Sequence, residues 1–332
     1  RLSLVGSEMC IRDSYYDDKF GIESHKTIAS ADECVANLHK IGGCDYADKK
    51  RYVGDNPTIL GVTYDLVEMI LAVKEDRKEE LINVMREMMA ADRMTPGEAA
   101  KLKGKLGFAG SHFWGKIGRC FIRSLSERQY ARSFRAGLND ALRICLWEWE
   151  GILLDVKAKS LIYKDAQGVD AVVYTDGYYP DARKGDSDEP RIGAVIFTRD
   201  RETPMATTIE IPKAVMDQWI PRKTQVVMVE SIAVVIAMET FGEILQGKRV
   251  LWMIDSEAVL GAIVKGYSDR CDICNTAAMF WGMVRSRDVE VYADRIPTDG
   301  NLSDGPSRGS WRIAAESGWA FVPAQIPADL ML

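Results

Sequence analysis

The sequence predicts an α/β protein: a mixed five-stranded sheet with flanking helices, preceded by a smaller α+β and helical segment. Three observations carry this. At 332 residues the chain exceeds what one hydrophobic core usually organises, so roughly two domains are expected. After about residue 168 the apolar pattern shifts to short strand-like runs, and elements follow in the order βββαβααβ. Two of those runs, 171–174 and 250–254, are apolar at every position, as in central strands covered on both faces, and each runs out at an aspartate.

Taken in order, residues 1–14, RLSLVGSEMCIRDS, lack an initiator methionine and have neither the charged nor the apolar region of a targeting peptide. They read as a translated adaptor, a non-native leader set apart from the fold. Residues 15–73 mix a YYDD turn, a predicted helix over 29–41 and the run TILGVTYDL, which together read as an α+β unit. Residues 74–160 read as helical. Leu81, Val84, Met85, Met88 and Met89 recur at three-to-four spacing, the mark of a core-facing stripe. Thr95, Pro96 and Glu98 combine an N-cap hydroxyl, proline at the first helical position and a capping-box carboxylate, so a new helix starts there. Residues 138–154 continue as an apolar helix whose Trp147 and Trp149 read as core, and the polar KAKSLIYKDAQG reads as a linker.

Beyond it, DAVVYTDG, RIGAVIFT and MATTIEI are predicted strands, VVMVESIAVVIAMETFGEIL a helix, RVLWMID a strand, SEAVLGAIVKG and CNTAAMFWGMVRS helices, and VEVYADRI the last strand. Strands joined by short connections should pair antiparallel, and strands separated by helices need parallel crossovers, so the sheet is mixed. This sets 165–311 as the sheet domain and 312–332 as a C-terminal tail.

Composition narrows the function classes. No apolar run approaches the 18 or more residues of a membrane span, so no membrane partner is expected. Seven cysteines scattered without a signal peptide fit a reducing, intracellular compartment better than a disulfide framework. Cys271 and Cys274 form a C-x-x-C, but no second pair or histidine lies at zinc-finger spacing, so they read as helix packing. The net charge of −6 requires that any nucleic acid be held by a local basic face. Residues 101–135 supply one: nine basic side chains, among them Lys101, Lys105, Lys116, Arg119 and Arg123, stand against Glu127 alone. Phe108, Phe113, Trp114, Phe121 and Tyr130 are interleaved with them, a composition suited to phosphates and to stacking. The bland alternative is a solvated basic face whose aromatics are core.

The chemistry lies in acids. If the strands ending near Asp176 and Asp255 are parallel neighbours, both carboxylates emerge at one C-terminal edge, where open α/β sheets place ligands. Asp255 alone could equally cap the helix that follows. Glu230 shares a helix face with Val226, Ala233, Val234, Ala237 and Phe241, whereas Glu239 falls on the opposite side and is expected in solvent. A buried carboxylate needs a cation, a donor or a proton. Asp304, in NLSDGPSR, would alone be a turn residue. Four acids on one edge suit two hard cations such as Mg²⁺, with Mn²⁺ as substitute, clamping a phosphodiester; without metal they would repel one another.

The order Asp, Glu, Asp, Asp on this frame, with the strings YTDG, VESIAVVIA, MIDSEAV and NLSDGPSR, resembles the ribonuclease H family over about residues 169–308. The resemblance implies a ribonuclease H-like fold and Mg²⁺-dependent hydrolysis of the RNA strand of an RNA–DNA hybrid. It carries the metal-binding and catalytic roles to Asp176, Glu230, Asp255 and Asp304. The ending N-x-A-D-x-x-S-R of retrotransposon versions matches at Asn301, Asp304, Ser307 and Arg308, with Ser303 in place of alanine, and Arg308 joins the candidate nucleic-acid contacts. The histidine that many members carry before the last acid is missing: the histidines are His25, His39 and His112.

Upstream, Tyr15-Tyr16-Asp17-Asp18 resembles the YxDD turn of reverse transcriptases, ILGV around Gly61 their primer-gripping hairpin, and TPGEAAKLKGKLGFAGSHFWGKIGR the thumb of retrotransposon polymerases. The resemblance implies a retrotransposon Pol fragment: palm end over 15–73, thumb and connection over 74–160, then ribonuclease H. Asp17 and Asp18 would be metal ligands with an upstream third aspartate, so the chain alone is expected not to polymerise DNA. The implied partners are an RNA–DNA hybrid and the remainder of the Pol polyprotein. Two rivals stand beside it: a degenerate copy that only binds nucleic acid, and an integrase or transposase nuclease on the same fold. The latter usually ends its acidic set with glutamate.

Overall fold

The computed structural model describes residues 11–15, 18–43, 52–59, 61–113, 115–131, 136–160, 168–180 and 188–330. They form two compact units, one of residues 1–79 with 157–164, the other of residues 80–156 with 165–332.

In the first unit, β1 (Ile11–Tyr15) pairs antiparallel with β2 (Asp18–Ile22), Tyr15 opposite Asp18. The hairpin thus takes in part of the predicted leader. Helix α1 (Ile28–Ile41) follows close to its predicted span, with no buried residue. Strands β3 (Thr58–Ile59), β4 (Val62–Asp65) and β5 (Ile70–Val73) form an antiparallel meander. The polar segment read as a linker contributes β6 (Lys159–Ser160), which pairs with β5.

Helix α2 (Glu75–Ala90) leads into the second unit, where Leu81, Ile82 and Met85 are buried. Of the predicted stripe, Val84, Met88 and Met89 are only half-buried. Helix α3 (Pro96–Ser111) starts as predicted: Thr95 Oγ1 accepts from Glu98 N at 3.3 Å, and Glu98 Oε2 accepts from Thr95 N at 2.7 Å. Helices α4 (Ile122–Gln129) and α5 (Asp140–Asp155) complete this layer. Trp149 is fully buried and donates Nε1–H to Gly118 O at 3.1 Å, but Trp147 is 68% exposed, which corrects its core reading. Two positions apart on a helix, the two side chains point to different faces.

The sheet is built from β7 (Ala171–Tyr178), β8 (Arg191–Thr198), β9 (Met205–Glu210), β10 (Arg249–Ile254) and β11 (Glu290–Arg295), which match the five predicted strands. Between β9 and β10 lie α6 (Lys213–Met216), α7 (Val226–Thr240) and α8 (Gly242–Leu245); α9 (Glu257–Lys265) and α10 (Cys271–Ser286) connect β10 to β11. Short α11 (Asp304–Ser307) and α12 (Arg312–Glu316) precede β12 (Ala320–Phe321), which adds a sixth strand. A two-residue strand has no periodicity to read.

Strand order is β11-β10-β7-β8-β9-β12. β7, β8 and β9 pair antiparallel, while β10 runs parallel to both β7 and β11. Helix α7 is apolar nearly all round, and eleven of its residues are buried. Glu239, expected in solvent, is half-buried and accepts from Arg287 Nη2 at 2.6 Å. A helix buried on most sides leaves no solvated face for an acid, so the acid takes a cation instead. Trp252 stacks edge-on against Phe280, centroids 5.1 Å apart, and closes the core between β10 and α10.

Candidate active site

Register sets the first two acids side by side. The parallel ladder ends at Ile254 opposite Thr175, so Asp255 and Asp176 follow at one level on neighbouring strands. Strand β7 continues past Asp176 to Tyr178 along β8, whereas β10 stops at Ile254. Ser256, not Asp255, occupies the N-cap position of α9, and Asp255 is left to face the site.

The third acid arrives through a close approach of backbone to backbone. A Cβ at Gly177 would lie 2.6 Å from Val229 C and 2.7 Å from Glu230 Cα, so only glycine admits α7 this near the strand. Glu230 is thereby brought to the edge, and one carboxylate oxygen from each of Asp176, Glu230 and Asp255 lies within 4.8 Å of the others. That is about the separation of oxygens sharing one cation at 2.0–2.6 Å.

The fourth acid has a different setting. Asp304 opens α11 and stands outside the 4.8 Å set. Its Oδ1 accepts from Arg308 Nε at 2.8 Å, and the Arg308 guanidinium lies 5.3 Å from the centre of the Tyr178 ring. Its charge still acts on Asp176.

Burial pushes the Asp176 carboxyl above its ordinary value, opposed by a hydrogen bond from Ser307 and reinforced by the charges of Asp255 and Asp304. Burial likewise pushes Glu230 up to about 7, with Ser256 donating a hydrogen bond against the shift and Asp255 and Asp176 adding to it. Two of three clustered carboxyls thus resist ionisation on their own. An all-oxygen donor set whose charges repel is one that a hard divalent cation relieves.

The support around the acids was not predicted. Ser307 donates its hydroxyl to Asp176 Oδ2. Asn301 Nδ2 donates to Thr175 O at 3.1 Å, and Ser303 Oγ donates to Asn301 Oδ1 at 2.6 Å. All three side chains are buried, which accounts for a serine where the motif has alanine: it fixes the asparagine that pins this loop to β7. Gly193, opposite Asp176, gives α11 its place, since a Cβ there would lie 2.7 Å from Ser303 O. The adjacency of Asn301, Ser303 and Ser307 to Asp304 was the available signal.

The basic candidates separate into paired and unpaired. Lys105 contacts Glu80 at 2.6 Å, and Arg123 Nε donates to Glu127 at 2.8 Å while its Nη1 donates to Asp269 O at 2.8 Å. Lys101, Lys116 and Arg119 form no ion pair among the described residues. Phe113 is buried, Phe121 half-buried, and Phe108 and Tyr130 exposed. Asp17 and Trp114 lie outside the described residues, and of Asp18 only the backbone, in β2, is described. Cys271 is exposed and Cys274 buried on α10. Among the described residues no helix is long and apolar enough to cross a membrane.

No protein-family model and no curated protein matches the sequence. Among solved structures the chain is similar to RNase H1 from the archaeon Halobacterium salinarum, at 16% identity and a TM-score of 0.30 over 40% of this chain and 89% of that one. It is similar to the N-terminal RNase H domain of a Mycobacterium tuberculosis protein, at 15% and 0.32 over 46% and 99%. A foamy viral protease-reverse transcriptase in complex with RNA/DNA hybrid gives 15% and 0.39 over 88% of this chain, which spans only 36% of that one. The strand order, with β10 and β11 parallel to β7 and helices on the sheet, makes the second unit a mixed α/β domain, as the sequence predicts.

Proposed function

We propose that this chain is a metal-dependent nuclease that hydrolyses the RNA strand of RNA–DNA hybrids, as the ribonuclease H part of a retrotransposon Pol protein. The observation that carries the reading is the convergence of Asp176, Glu230 and Asp255 within 4.8 Å at the edge where β7 and β10 run parallel. These three, with Asp304 one loop away, are the residues that would hold Mg²⁺ or Mn²⁺. Bound there, such ions would supply an activated water and stabilisation of the leaving 3′-oxygen. The chain's own residues orient and neutralise. Ser307 holds Asp176 Oδ2 with its hydroxyl. Ser256 donates to Glu230 and favours its charged form. Arg308 balances Asp304. The YxDD string and the basic helical segment support the reverse transcriptase part of the reading.

A second reading has one observation in its favour: Asp304, paired with Arg308, stands apart from the other acids, as in a copy that binds hybrid without cutting it. The full chain and Asp255→Asn are compared on a labelled hybrid and on duplex DNA with Mg²⁺. Cleavage of the hybrid's RNA strand by the wild type alone is expected. Intact hybrid under both Mg²⁺ and Mn²⁺, with the fold retained by circular dichroism, favours the binding copy, and cleavage of duplex DNA favours an integrase-like enzyme.

A further inference from the structure

Helix α10 opens on Cys271, and Cys274 stands one turn along, so the C-x-x-C occupies the first turn of a helix. Cys274 N donates to Arg270 O at 2.8 Å and closes that turn, which no side chain caps. Cys271 faces solvent, Cys274 is buried, and both are free thiols. Residues three apart on a helix have Cβ atoms about 5–6 Å apart, against about 3.5–4.5 Å across a disulfide. A small contraction of this uncapped turn therefore brings the two sulfurs to bonding distance.

The turn has fixed neighbours. Gly266, with φ +76, ends α9, and a Cβ there would run into Lys116 Cβ and lie 3.2 Å from Arg119 Cβ. Arg123 continues this contact, its Nη1 donating to Ser268 O at 3.2 Å and Asp269 O at 2.8 Å just before α10. The Arg123 guanidinium is held in its charged form by Glu127 first, with Cys271 and Cys274 adding to the effect, so its charge reaches both thiols. Burial pushes the Cys274 thiol up, opposed by a hydrogen bond from the Ser268 backbone and by the charge of Arg123. Asp272, between the two cysteines, accepts from Arg222 Nη1 at 2.7 Å and Nη2 at 2.5 Å, and from Ile220 N at 3.2 Å. An exposed thiol one turn from a covered one is the layout in which an oxidant meets the first and the second closes on it.

We propose that Cys271 and Cys274 form a reversible redox modification site, a dithiol at the start of α10 that a peroxide closes to a disulfide within the helix. The Cys271 sulfur attacks the O–O bond of the peroxide and becomes a sulfenic acid, releasing water. The Cys274 sulfur then displaces the sulfenic oxygen, which leaves with the Cys274 proton as a second water. The dithiol thus loses two electrons and two protons, and hydrogen peroxide is reduced to water. A small-molecule thiol such as glutathione reopens the bond by exchange. Closure pulls Asp272 against Arg222 and disturbs the carbonyls that Arg123 holds. The site does not depend on the nuclease reading.

The full chain is treated with hydrogen peroxide, alkylated after denaturation, digested with trypsin without reduction and analysed by mass spectrometry. Cleavage after Arg270 and Arg285 puts both cysteines in one peptide, 271–285, and the buried Cys120 in another, 120–123. The expected product is a 271–285 peptide lighter by two hydrogens that resists alkylation until dithiothreitol is added, whereas sulfoxides at Met279 and Met283 persist. Cys274→Ser is expected to stop at a sulfenic acid that dimedone labels at Cys271. Cys271→Ser, at an exposed position, is expected to leave Cys274 open to alkylation. The closed form is expected to melt about 2–4 °C below the reduced one, a difference that dithiothreitol removes and Cys271→Ser lacks. A 271–285 peptide alkylated at both cysteines, or one joined to 120–123, overturns the site. A closed form that melts no lower overturns the strain placed on Asp272.

Discussion

Ser307 and Asp176 are 131 residues apart in the chain, yet the serine hydroxyl donates directly to the aspartate's Oδ2 in a buried setting. The bond works against burial, the larger influence on Asp176, by favouring its charged form. It also restrains the orientation of the carboxylate. Ser307→Ala is expected to lower divalent-ion affinity about 10–100-fold, the usual effect of losing a partner that orients a ligand. Titrating Mn²⁺ into wild type and variant by calorimetry checks this, and equal affinities would show the serine to be mere packing.

The three converged carboxylates make metal binding readable without any nucleic acid. At a cation concentration near 100 times its dissociation constant, the wild type gains about 2.7 kcal/mol, a rise of roughly 5–10 °C in melting temperature. Asp176→Asn removes one ligand and one of the repelling charges. It is expected to melt at or above the wild type without metal and to lose most of the Mg²⁺-linked rise. A variant that keeps the full rise speaks against a shared cation.

Glu230 gives the metal-free protein a pH signature. Its carboxyl is pushed up to about 7 in the fold, against an ordinary value of 4.5. The folded state then binds the proton more tightly, so the associated stability is fully present below the unfolded value and is lost as pH rises through the folded one. Asp176 is shifted the same way. Urea unfolding without metal should show a loss on the order of 1–3 kcal/mol between about pH 5 and about pH 8. Saturating Mg²⁺ should oppose that loss, because ion binding strengthens as Glu230 deprotonates. Stability that rises over the same interval would contradict the assigned shift.

Gly177→Ala tests the approach of α7 to β7. The added methyl meets backbone atoms of Val229 and Glu230, which cannot swing aside like a side-chain tip. Overpacking of this kind costs about 1–3 kcal/mol, and here the displaced residue is itself a ligand candidate. Reduced stability together with weakened Mn²⁺ binding is the expected pair of outcomes; reduced stability with unaltered Mn²⁺ binding would separate Glu230 from the site.

The level placement of Asp176 and Asp255 could be read from the sequence, because two fully apolar runs on either side of a helical crossover have few other ways to pair. Glu230 was readable for a related reason: one acid stood in an otherwise apolar helix face. What escaped was long-range or two-sided. Helix α7 is buried nearly all round, so periodicity gave Glu239 a solvated face that does not exist, and its partner Arg287 lies 48 residues on. The bond from Ser307 to Asp176 and the support of Asn301 by Ser303 depend on how α11 sits against β7, and side-chain chemistry alone does not specify that. Trp147 and Trp149 are equally hydrophobic, and only the docking of α5 decides which one is covered.

Because the segment from Gly115 to Arg123 lies against Trp281 and the Gly266 turn, the helices before the sheet are part of what covers the sheet-bearing part of the chain. A chain trimmed to begin near residue 160 would bare that flank of Trp281 and strip Ser268 and Asp269 of the guanidinium that caps their carbonyls. Its sluggishness or insolubility would then report a missing neighbour, and would say nothing against the acids at the other end of α9.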